Sequence, residues 1–178
     1  MQVKADWQDG EDAFFNYRGR GPIEVGVAWQ VWRDDRAAIS LYGGYADGGE
    51  GRNAAYAAPG LGASDWEVRV SAGRNWSAPR LGLNDAFVEV QGARRLRDGL
   101  ADETRVDATL GVRFARDWMA LGQAYGGAAD GGARWLSLEA SVVRDLGDWS
   151  LQAGWRQTAL GRETPIASGP ILAVWRRF

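Results

Sequence analysis

The 178-residue sequence has no histidine and no cysteine. Without cysteine there is no disulfide, no thiolate metal site and no thiol nucleophile. Without histidine the commonest general base, proton shuttle and metal ligand are lost together, and a Ser–His–Asp triad is excluded. No run reaches the roughly 18 apolar residues that a membrane-spanning helix needs, and mean hydropathy is −0.35. That test is blind to membrane β-barrels, because half of each of their strands is polar. Neither sign of charge dominates: 21 basic residues stand against 23 acidic ones, which leaves no basic face for a nucleic acid. Neither G-x-x-x-x-G-K nor a strand-linked G-x-G-x-x-G occurs, so there is no phosphate-binding loop. No stretch sustains a 3.6-residue apolar period, so helix is not predicted anywhere.

What is present is alternation. Ile23, Val25, Val27, Trp29 and Val31 fall on one face of an extended segment, and Glu24, Gly26, Ala28 and Gln30 on the other. A period of two predicts strand. The same pattern recurs at Ala37–Tyr45, Trp66–Asn75, Val88–Gln91, Val106–Phe114, Leu136–Val142, Trp149–Arg156 and Pro170–Phe178. A short strand is predicted at Ala13–Arg18, broken by Gly19–Pro22; the polar stretch before it is given no structure. Trp118–Gly126 is ambiguous. Its apolar face is either Met119, Leu121 and Tyr125 or Trp118, Ala120 and Ala124. These make ten predicted strands, with eight as the alternative count, of about the nine to eleven residues that a tilted strand needs to cross a bilayer.

The connections alternate in length. Arg33–Arg36, Ala115–Asp117 and Asp145–Asp148 are short, and Ser77–Asn84 is somewhat longer; Asp47–Asp65, Arg97–Glu103, Gly126–Ala133 and Leu160–Gly169 are mostly longer and glycine-rich. The last strand, Pro170–Phe178, alternates back from its terminal aromatic through Val174 and Leu172. It resembles the closing strand of bacterial outer-membrane β-barrels, whose signature is a C-terminal aromatic with alternating apolar residues. Arg176 departs from it, standing where that family usually has an apolar residue. The resemblance implies one antiparallel transmembrane β-barrel over residues 1–178 in the outer membrane, with short periplasmic turns and longer extracellular loops.

Aromatics fit two interfacial belts. Trp32, Trp76, Phe114, Trp118, Trp149 and Phe178 are placed beside the short-turn rim, and Tyr17, Tyr45, Trp66, Tyr125 and Trp135 beside the long-loop rim. The other face carries Glu24, Glu67, Glu89, Asp107 and Glu139 against Arg69, Arg105, Arg113 and Arg156. In a narrow barrel these charges point inward and must pair, which predicts a salt-bridged lumen.

The barrel enzymes known from this family (lipid A deacylases, palmitoyl-transferring barrels, phospholipases and omptin-type proteases) use a histidine, so their mechanisms do not transfer. Asp34 with Asp35 and Asp102 with Glu103 could serve acid–base work or hold calcium, but turns and rims favour such residues for their own reasons. No catalytic residue, metal or cofactor is assigned. The expected role is non-catalytic: a structural, anchoring or surface-export accessory barrel. Its partners are outer-membrane lipid and, through the loops, a polysaccharide or another envelope protein. Arg52, Asn53 and Tyr56 in the longest loop are candidate recognition residues. The alternatives are a narrow channel for small solutes and a soluble β-barrel that binds a ligand.

Overall fold

A computed structural model of the chain describes residues 2–11, 16–48, 62–78, 83–164 and 166–176, with side chains from residue 20 onward except at 78, 83 and 84. The described residues form ten strands: β1 (Gln2–Glu11), β2 (Asn16–Arg33), β3 (Ala37–Asp47), β4 (Ser64–Ala78), β5 (Leu83–Arg97), β6 (Glu103–Ala115), β7 (Trp118–Ala129), β8 (Arg134–Leu146), β9 (Trp149–Arg162) and β10 (Ser168–Arg176). They form one antiparallel sheet in sequence order, each strand bonded to its neighbours in the chain. No helix occurs among the described residues, so none is long and apolar enough to cross a membrane.

From Ile23 onward the strands fall where the alternation predicts them; the difference lies at the start of the chain. β1 occupies the stretch given no structure, and β2 runs unbroken through Gly19–Pro22. The reason lies in the pairing. Ala5 pairs with Ile23 and Trp7 with Arg20, so the register shifts opposite Gly21 and Pro22. A proline, which has no N–H to donate, is tolerated at such an irregularity. A second shift falls at Val31, between Gln30 and Trp32, and brings Trp32 opposite Ile39 on the apolar face.

Turn chemistry sets the short connections. At residues 34–36 the Asp34 carboxylate accepts hydrogen bonds from the backbone N–H groups of Arg36 and Ala37, each at 2.7 Å. The Asp34 N–H donates to the Ala37 carbonyl. Those two backbone bonds hold the Asp34 carboxyl below its ordinary range. The connections at 98–102 and 130–133 are shorter than the sequence suggests, because β5, β7 and β8 extend further toward that rim than the alternation shows.

The two faces of the sheet invert the usual arrangement of a globular protein. Apolar side chains such as Trp29, Val68, Leu160 and Leu172 are exposed, the last at 82%. Asp65, Glu67, Arg95, Arg97, Glu103 and Glu139 are buried. Charged residues are seldom buried unless paired. A single-layer sheet with nothing packed on it can bury one face only by curling around it. The Arg113–Asp145 ion pair, 2.8 Å, reaches from β6 to β8 over the intervening β7, as inward curvature allows.

The sheet is nevertheless not closed. Its ladders run from β1 to β10, and no ladder among the described residues joins those two ends. The closed barrel expected from the sequence is reduced to a single all-β antiparallel sheet. Its last strand holds Pro170, as edge strands can.

Candidate functional site

Among the described residues, most of the buried, paired charges converge on the polar face. Register and burial place all nine predicted lumen charges on it: Glu24, Glu67, Arg69, Glu89, Arg105, Asp107, Arg113, Glu139 and Arg156. Period-two alternation carries each there, since same-face residues in neighbouring strands are register partners or lie two apart.

One cluster centres on Glu67 of β4. Its Oε1 accepts from Arg69 Nε at 2.9 Å and Nη2 at 2.5 Å. Its Oε2 accepts from Arg95 Nε at 2.9 Å and also from Arg95 Nη2. Arg69 stacks over the Tyr42 ring at 4.6 Å. That ring lies where a side chain on Gly44 would stand, so the glycine makes the stacking position available. Arg69 reaches Gln91 at 3.4 Å, and Gln91 donates to Glu89 at 2.5 Å, extending the network along β5.

A second cluster centres on Glu139 of β8. Its Oε2 accepts from Arg156 Nε at 2.9 Å and Nη2 at 2.7 Å. Its Oε1 accepts from Gln152 at 2.9 Å and from the Ser141 hydroxyl at 3.3 Å. Arg156 stacks over Tyr125 at 4.4 Å.

Between the two, β6 is more loosely connected. Arg97 Nη1 donates to Glu103 at 2.9 Å, and both side chains are almost fully buried. Arg105 lies 3.6 Å from Glu103 and 3.7 Å from Asp107, close enough for ion pairing but too far for hydrogen bonds. Glu103 Oε1, Arg105 Nε, Asp107 Oδ1 and Asp65 Oδ2 are buried with no hydrogen-bond partner among the described residues. Nearer the short turns, Asp145 accepts from Arg113 at 2.8 Å and from Ser150 at 2.6 Å.

Several members escaped the sequence reading. Arg97, Glu103 and Asp145 were assigned to connections, and Asp65 to the end of a loop, but all four are strand residues. Arg95 was not singled out. The available signal was parity: Arg95 and Arg97 continue the series of Glu89 and Gln91.

The aromatic assignments divide. Trp32, Tyr45, Trp66, Trp76, Phe114, Trp118 and Trp149 are exposed on the apolar face. Tyr125 and Trp135 are not on it, which corrects their place in a belt. Tyr125 pairs with Asp107 and stacks with Arg156 on the polar face. Trp135 is buried over Gly127, whose missing side chain makes room for the indole. The Trp118, Ala120 and Ala124 alternative is the outward face of β7. Arg176, the departure from the terminal signature, lies over the Trp149 ring at 5.1 Å. The side chains of Tyr17 and Phe178, and all of Arg52, Asn53 and Tyr56, fall outside the described residues.

The paired carboxylates have other work. Asp34 closes its turn, and Glu103 is buried against Arg97. No group of three or more potential ligands among the described residues could hold a metal ion. Comparison of the chain with family models, curated proteins and solved structures finds no match.

Proposed function

We propose that this chain is a bacterial outer-membrane β-barrel, closed by pairing of β1 with β10, with a non-catalytic structural, anchoring or surface-export accessory role. One observation carries the proposal. Alternate residues of the same strands are either apolar and exposed or charged, paired and buried. Water disfavours that arrangement, whereas lipid around the sheet favours it, and pairing of β1 with β10 would satisfy the backbone groups that the two edges leave open, as a hydrocarbon surrounding requires. The outward Trp and Tyr residues near both ends of the strands suit headgroup level. Buried Arg–Glu pairs fill the polar face and support a plugged interior with little steady conductance. That interior has no histidine, which supports a non-catalytic role.

The test is refolding. The protein should fold only with detergent or lipid and should show heat-modifiable migration on gels. Monodisperse folded protein in plain buffer sinks the membrane reading in favour of a soluble binder. Stable stepwise currents from the pure protein would favour a channel. Val90→Arg adds a direct comparison. Val90 is 46% exposed in the middle of the apolar face. In lipid the substitution should cost about 2–4 kcal/mol; on a water-exposed surface it should stay within about 0.5 kcal/mol.

A further inference from the structure

One row of the outward face crosses five strands near the 98–102 and 130–133 connections. Its register partners are Arg94, Thr104, Ala128, Arg134 and Arg162, in strand order β5 to β9. The next outward row toward the sheet centre is Gly92, Val106, Gly126, Leu136 and Leu160. The apolar face therefore stops within a single step, and arginine begins there.

The three arginines of the row are not equivalent. Arg94 is engaged, since its guanidinium donates to both oxygens of Asp130, at 3.0 and 2.5 Å. Arg134 and Arg162 stand directly opposite each other across the β8–β9 ladder. Like charges at directly opposed positions repel. Arg134 has no ion-pair or hydrogen-bond partner among the described residues. The Arg162 side chain is 70% exposed, and among the described residues its guanidinium has only Glu163, 3.7 Å from its Nε and beyond hydrogen-bond reach. Two outward guanidinium groups above half-buried Leu136 and exposed Leu160 call for an anion carried on an apolar body.

We propose that Arg134 and Arg162 form a site for the phosphate of an anionic lipid headgroup, with the acyl chains lying along Leu136 and Leu160. Guanidinium suits phosphate because its planar fork of donors matches two phosphate oxygens. The inference rests on the membrane reading above and adds a ligand class and its position.

The experiment compares the wild type with the Arg134→Gln/Arg162→Gln double variant and with Arg94→Gln. Each is refolded into phosphatidylcholine vesicles and into vesicles that also contain phosphatidic acid. Insertion is read by protease protection, and lipid retained after detergent extraction is counted by native mass spectrometry. Wild type should retain phosphatidic acid in preference to phosphatidylcholine. The double variant should lose that preference by about ten-fold or more, as expected when charge-assisted contacts to a phosphate are removed. Arg94→Gln should match the wild type, because Asp130 already occupies that guanidinium. Added inorganic phosphate should not displace the lipid. Equal retention by wild type and double variant, both inserted, overturns the site and leaves the membrane reading standing. Displacement by inorganic phosphate overturns the lipid assignment. Failure to enter either vesicle overturns the membrane reading, and the site falls with it.

Discussion

Two clusters of the polar face use the same three side-chain types and differ in the fourth. In β3–β5, Tyr42 stacks with Arg69, which grips Glu67. In β7–β9, Tyr125 stacks with Arg156, which grips Glu139. The remaining oxygen of Glu67 is met by a second arginine, Arg95, whereas that of Glu139 is met by Gln152 and Ser141. The first cluster therefore carries two guanidiniums on one carboxylate, with Arg95 10% exposed; the second is balanced, and its Arg156 is 44% exposed. The same ion pair thus sits in two dielectric settings. A buried charge that loses its partner is costly, while one that can reach water is not.

The largest effect should follow from Glu67→Gln. It leaves Arg95 buried without its counter-charge and should destabilise by about 3–5 kcal/mol. Glu139→Gln removes a carboxylate that is buried even more deeply, but Arg156 can turn toward solvent, while Gln152 and Ser141 are neutral. Its loss should be about 1–3 kcal/mol. Unfolding by urea in one detergent measures both. Equal losses would show that the second arginine does not distinguish the clusters.

Arg95→Gln gives the first cluster the composition of the second. Glu67 keeps Arg69 and gains a neutral donor, so the loss should be about 1–3 kcal/mol. The Glu67→Gln/Arg95→Gln pair should cost less than the sum of the single substitutions, with a coupling of about 0.5–3 kcal/mol. Additivity would mean that the contact between Arg95 and Glu67 contributes nothing of its own.

Both centres were legible in the sequence, because Glu67, Arg69, Glu139 and Arg156 sit mid-strand, where period two is unambiguous. Arg97, Glu103 and Asp145 were not, since a charged residue at a strand end reads the same whether it faces water or a buried partner. Tyr125 and Trp135 were misplaced for a related reason: nearness to a connection tells height along the sheet but not which face. Small residues on both faces of β7, such as Gly122, Ala124, Gly126, Gly127 and Ala128, erase the alternation that would have decided it. The shift at Val31 flips parity within one strand, and no pattern of residue types announces it. The sheet is open between β1 and β10, and whether two distant strands pair is something that no local period contains.

The smallest effect should come from the same chemistry placed in water. Arg94 holds Asp130 through two hydrogen bonds, as closely as Arg156 holds Glu139, but the Asp130 side chain is 58% exposed. The hydrogen bonds from Arg94 hold the Asp130 carboxyl below its ordinary range, helped by the guanidinium charge. A carboxyl depressed in the folded state contributes stability above its unfolded pKa, about 4, and loses it as pH falls through the lower folded value. Asp130→Asn should therefore differ slightly from the wild type at neutral pH. The two should converge in acid, once Asp130 is protonated in both states. Urea midpoints measured from neutral pH down through the carboxylate range check this. If Asp130→Asn matched Glu67→Gln at neutral pH, burial would not be what separates strong from weak pairs in this sheet, and the contrast between the two clusters would need another cause.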